Sequence, residues 1–185
     1  MKKTEDTSVP GTAAAAPSAP ADNIELRYFV TPEHVADAIK AAGCSVTALE
    51  HNGVIHLHSA SQGVGFQVLW GNAGPQAGQF LDFTISCPLR IQGGVLPEGL
   101  IAEWHRNKRF ARIVEHGEML ALEMDVIVVG GVAPAYLSMV VQLWTQMMGQ
   151  FFLHLRNFAS DLPAAAAAVT PAATAVPESE PAVTA

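Results

Sequence analysis

The side chains best suited to chemistry lie in two clusters. His51, His56 and His58 form the first. An H-x-H pair points both imidazoles to one side of an extended strand. A tight turn at Asn52–Gly53 returns the chain so that His51 joins them. Three imidazoles can bind zinc or another divalent ion. No carboxylate or cysteine is placed in sequence to complete the shell or orient the rings. Solvated histidines on a sheet face, titrating near neutral pH, are the ordinary alternative. The second cluster is Glu123 and Asp125, two residues apart in an alternating segment, with Asp82 as a third carboxylate. Paired carboxylates suit acid–base work or a metal. Here Arg112 stands within reach, and a cross-strand ion pair on a solvated face is the expectation. Cys87 alternates with Leu81, Phe83 and Ile85, so it is expected as a small core residue rather than a nucleophile. The glycines of G-N-A-G-P-Q-A-G, residues 71 to 78, lack the G-K-[ST] that a phosphate loop requires. No catalytic residue, metal or cofactor is expected.

The elements that must position these groups are mostly strands. Leu120, Leu122, Met124, Val126 and Val128 alternate, joined by Ala111 and Ile113. That period of two predicts a half-buried hairpin of residues 109–115 and 118–129. The turn is read at His116–Gly117, which sets Arg112 diagonal to Glu123. A second hairpin is predicted for residues 45–50 and 54–59, with Val46, Ala48, Ile55 and Leu57 on its core face. Further strands are expected over residues 65–70 and 79–87, the latter ended by Pro88. Thr31-Pro32-Glu33 starts a helix, with a hydroxyl cap, proline at the first position and an acid in the first turn. Val35, Ala38, Ile39 and Ala42 form its buried stripe, and Gly43 ends it. Pro97-Glu98 opens a second helix that runs to about Lys108. His105, Arg106, Lys108 and Arg109 give it a basic edge.

The chain has 185 residues and a formal net charge of -7. The acidic balance argues against nucleic acid, whose affinity rests on phosphate contacts. Two cysteines without a C-x-x-C fit a reducing cytoplasm better than a disulfide framework. Glu-Asp-Thr-Ser after Met1-Lys2-Lys3 is not the apolar run of a signal peptide, and no apolar run is long enough to span a membrane. Residues 1–23 and 163–185 are rich in Ala and Pro and are expected to be disordered tails. One domain is expected over residues 24–162.

The last helix, about residues 134–158, is apolar around most of its circumference. Leu137, Val141, Trp144, Met148, Phe151 and Leu155 lie along one line, flanked by Tyr136, Val140, Leu143, Met147 and Phe158. One side can cover a sheet, and the excess is expected to meet a protein partner. A homodimer is the favoured form, with the six residues of the main line as partner contacts.

The order helix, antiparallel strands, helix, hairpin, long helix resembles the YbjN family of bacterial sensory transduction regulators. The residues that carry the resemblance are Trp104, Arg109, Phe110, Gly117, Leu122, Glu123, Met124, Asp125, Gly130, Gly131 and Val132, together with the opening F-V-T-P-E-H-V-A-D-A-I-K-A-A-G. It covers about residues 27–158. Ala102, His105 and Ala111 depart from it. The resemblance implies an α+β fold similar to the type III secretion chaperones: an antiparallel sheet with helices packed on it. It also implies a non-enzymatic regulatory or chaperone-like role exercised through protein binding, in sensory transduction or stress response. It brings no catalytic residues. The alternative from a different class is a small metal-dependent enzyme or metal binder built on His51, His56 and His58.

Overall fold

The computed structural model describes residues 25–91, 96–160 and 169–171. An antiparallel sheet carries α-helices on one face, an α+β architecture. The elements run α1 (Pro32–Ala41), β1 (Val46–His51), β2 (Val54–Ser61), β3 (Val64–Trp70), β4 (Asp82–Ile91), α2 (Leu100–Asn107), β5 (Arg112–His116), β6 (Met119–Ile127), α3 (Pro134–Ser160) and β7 (Val169–Pro171). The strand order is β1-β2-β3-β4-β6-β5, with β7 beside the end of β4. The tail readings for residues 1–23 and 163–185 fall outside the described residues, apart from β7.

Local chemistry explains most of the boundaries. Thr31 accepts from the His34 N–H, while His34 Nδ1 accepts from the Thr31 N–H at 3.3 Å, a reciprocal cap with histidine at the third position. Asn52 and Gly53 both have positive φ, as a type I′ turn demands. Gln62 and Gly63 repeat that pattern between β2 and β3. The inward side chains alternate as expected: Leu57, Phe66, Val68, Phe83, Ile85, Leu122, Met124 and Val126 are buried. They meet Val35 and Ile39 of α1 and the main line of α3 in one core. Trp104 fixes α2 to the sheet. Its indole N–H donates to the Ala111 carbonyl at 2.9 Å, and its ring lies edge-on to Phe151. His105 Nε2 accepts from the Ile113 N–H at 3.0 Å, so α2 grips the start of β5 twice.

Three boundaries differ from the sequence reading. The β5–β6 turn is Gly117–Glu118, because His116 pairs with Met119. Only Gly117 takes positive φ there, which fits a turn with glycine in its first central place. Arg112 therefore sits directly opposite Glu123, not diagonal to it. The second helix begins at Leu100 rather than at Pro97, because Gly99 at φ +82° lies outside the helical region. Pro88 does not end β4; it pairs with Ala121 and the strand continues to Ile91. The Ile91 N–H bonds to the Glu118 carbonyl, so alternate residues Leu89 and Cys87 also direct their backbone groups to β6. The nitrogen of Pro88 faces the opposite side, where β3 has stopped pairing at Ser86. No ladder bond is lost there.

Candidate functional site on the outward face of the sheet

The registers align one polar row across all six main strands. Thr47 pairs with His58, His58 with Gln67, Gln67 with Ser86, Ser86 with Glu123, and Glu123 with Arg112. This row stands on the face away from the helices. A neighbouring row includes Leu49 opposite His56, and Leu69, Thr84 and Asp125 in mutual register. Both chemical clusters read from the sequence thus share one face but lie at opposite ends of it. Three strand spacings separate His58 from Glu123, about 14 Å, so they cannot act on one small substrate atom.

At the histidine end, His51 and His56 have ring centroids 6.4 Å apart. His58 is held below the usual imidazole range, first by burial and then by the neighbouring His56. Among the described residues no group of three or more His, Cys, Asp or Glu side chains is placed to hold a metal ion. Leu49 and Leu69 border the histidines and are exposed.

At the other end the carboxylates are tied down. The Arg112 guanidinium donates to both Asp125 oxygens and to Glu123 Oε2, the latter at 2.8 Å. The Thr84 hydroxyl donates to Asp125 Oδ1 at 2.7 Å. The bond from Arg112 is the first cause that holds Asp125 below the usual carboxylate range, and that from Thr84 adds to it. His116 Nε2 lies 3.8 Å from Glu123 Oε1. Both carboxylates are thus engaged by Arg112. Asp82 is used structurally as well. It accepts from the Asn72 side chain at 2.7 Å and closes the 71–80 loop. A Cβ on Gly71 would lie 1.7 Å from Asp82 Oδ1, so any larger residue there would displace this carboxylate from Asn72. Cys87 is fully buried, and burial pushes its thiol up to about 12, the state of an inert core residue.

The six α3 residues read as partner contacts, Leu137, Val141, Trp144, Met148, Phe151 and Leu155, are all buried within this chain. They face the sheet, and α1 and α2 pack against the same helix. That second and third covering explains why Val140 and Met147 on the flanks are buried too. The large apolar side chains left exposed on α3 are Met139 and Leu153.

Phe110 was not singled out as a site by sequence reasoning. Its φ is +73°, a left-handed conformation that costs a bulky residue on the order of 1–2 kcal/mol. The ring is 61 % exposed, and the Arg109 guanidinium carbon lies 5.0 Å from its centroid. Ile127 and Val129, beyond Asp125 on the same strand face, are equally exposed. Leu26 and Tyr28 approach the Gly131 turn, and both are exposed. Arg106, Lys108 and Arg109 have no ion-pair partner among the described residues. The end of the sheet near the start of β5 therefore carries apolar side chains edged with positive charge. The one signal in sequence was an apolar residue on an otherwise polar strand face.

A protein-family model with the description "Putative bacterial sensory transduction regulator" matches residues 31–157. No curated protein matches the chain. No helix among the described residues is long and apolar enough to cross a membrane.

Proposed function

The chain belongs to the YbjN family, and from that premise we propose a non-enzymatic regulator that works by binding another protein through the Phe110 end of its sheet. The observation that carries this reading is the backbone of Phe110. A phenylalanine held in the left-handed region and turned to solvent opposes both conformational preference and burial. Such local cost is tolerated where a side chain must be presented to something. Aromatic and arginine side chains are favoured anchors at interfaces, and Arg109 stacks on this ring. Arg106, Lys108 and Arg109, without ion-pair partners among the described residues, suit a partner surface that is acidic around an apolar pocket. The chaperone-like resemblance read in the sequence supports the same role. The two cysteines are free, which supports a reducing cytoplasm as its place.

Phe110→Gly tests the reading with two opposed outcomes. Thermal or denaturant unfolding of the free protein should show a gain of about 1 kcal/mol as the strain is relieved. A photo-crosslinking residue at position 110 should give a reproducible protein adduct in cells, reduced by Arg109→Glu, while one at position 49 gives none. Equal adducts from both positions, or destabilisation by Phe110→Gly, would overturn it.

A homodimer through the outward side of α3 is the second reading, favoured by exposed Met139 and Leu153. Light scattering at tens of micromolar checks it. A dimeric mass split by Met139→Glu with Leu153→Glu supports it; a monomeric mass removes it.

A further inference from the structure

We infer that the end of β4 is a strand-docking edge held closed by this chain's own segment Val169–Pro171. β3 pairs with β4 only as far as Ser86, yet β4 continues to Ile91 with β6 alone on its other side. Residues 87–91 would thus present an unpaired edge in the middle of a sheet, the feature that invites pairing with foreign strands. Val169, Thr170 and Pro171 lie there antiparallel, opposite Ile91, Arg90 and Leu89.

The backbone chemistry of the two segments matches position by position. Ile91 and Leu89 direct their backbone groups to β6, as the Ile91 to Glu118 bond fixes. Arg90 is therefore the residue that offers both an N–H and a C=O to an added strand, and Thr170 stands opposite it. Pro171 stands opposite Leu89, where no donor is asked of the added strand. Pro88 has no N–H to give to a longer strand, which limits the docked segment to a few residues. Geometry also brings the segment to the edge. His154 of α3 lies 2.9 Å from the Leu100 carbonyl, so the end of α3 sits at the start of α2, which follows β4 in the chain. Eight residues separate Ser160 from Val169, enough to span up to roughly 30 Å. The docked segment acts as a gate. A partner that adds a strand at Arg90 must displace it, a mode of recognition that rests on main-chain bonds.

Hydrogen exchange read residue by residue tests this, with full-length protein compared against Thr170→Pro and a chain ended at residue 168. Thr170→Pro removes the N–H opposite Arg90. The Arg90 amide should exchange roughly tenfold faster in both variants, the factor that one net hydrogen bond commands. The Leu120 and Leu122 amides should keep their protection, which certifies an intact fold. A peptide of residues 165–174 added to the shortened chain should restore protection at Arg90. Unchanged exchange at Arg90 in both variants overturns the inference. Protection of Arg90 that falls on dilution of the full-length protein, together with a dimeric mass, also overturns it, since the segment would then come from a second copy.

Discussion

The hairpins β1–β2 and β5–β6 both have tight turns and both place titratable groups on the outward face, yet they differ in almost every other respect. β1 is exposed over five of its six residues, and no ion pair engages the histidines it shares with β2 among the described residues. β6 is buried at six of nine positions, and Arg112 of its partner strand holds both of its carboxylates. The first hairpin is flanked by β3 and covered by α1, and the second is flanked by β4 and clasped by α2. Similar residue types thus have different consequences. Groups on the well-packed hairpin acquire ion-pair partners that shift their titration, whereas on the more exposed one the shift at His58 comes from burial and a neighbouring imidazole.

The contrast can be broken most forcefully at Trp104. Trp104→Ala removes a fully buried ring and the clasp on Ala111, and should cost about 3–5 kcal/mol in denaturant unfolding. Leu49→Ala on the other hairpin should cost well under about 1 kcal/mol. Next in size is Arg112→Met, which leaves the mostly buried Glu123 without its cation. A loss of about 1–2 kcal/mol near neutral pH is expected. Its pH dependence has a definite sign. The Asp125 pKa is depressed in the folded state, so its contribution is present above the unfolded value of about 3.9 and is lost as pH falls through the folded one. Unfolding curves of Arg112→Met and the parent should therefore converge below about pH 4.

A smaller effect sharpens the other side of the comparison. The folded state lowers the His58 pKa, so it favours the neutral ring. Stability should decline as pH falls below about 6.5 toward the lowered value, and His58→Gln should flatten that slope. The smallest expected effect is none: zinc should leave the melting temperature unchanged. Stoichiometric zinc, abolished by replacing His56 and His58, would transfer the weight of function to the histidine face.

Periodicity and turn residues made the sheet readable in advance. Asn52–Gly53, the alternation from Leu120 to Val128 and the Thr31–Pro32 start each correspond to elements of the structure. The misplaced features were those decided by neighbours distant in sequence. Whether Pro88 ends β4 depends on where β3 stops. The β5–β6 register depends on which side of Gly117 the turn falls. Which parts of α3 remain free depends on α1 and α2, and no periodicity within α3 reports that. Within the candidate site, the shared face of the three histidines and the Arg112 ion pair were legible. The conformation of Phe110 was not, because it is imposed where α2 hands over to β5.

The strand order also has a kinetic side. β1 to β4 form a meander in which each strand pairs with the next in the chain, whereas β4 reaches past α2 and β5 to pair with β6, joining Asp82 to Ile127. Closing that long connection carries a larger entropic cost than closing the two-residue turns, and non-local pairing slows folding. The meander should therefore assemble early and the β4–β6 seam close late. Trp70, stacked on Phe80 within the first half, and Trp104, locked only when β5 is in place, report the two stages separately. In stopped-flow refolding, a variant that keeps only Trp70 should gain its native fluorescence before one that keeps only Trp104.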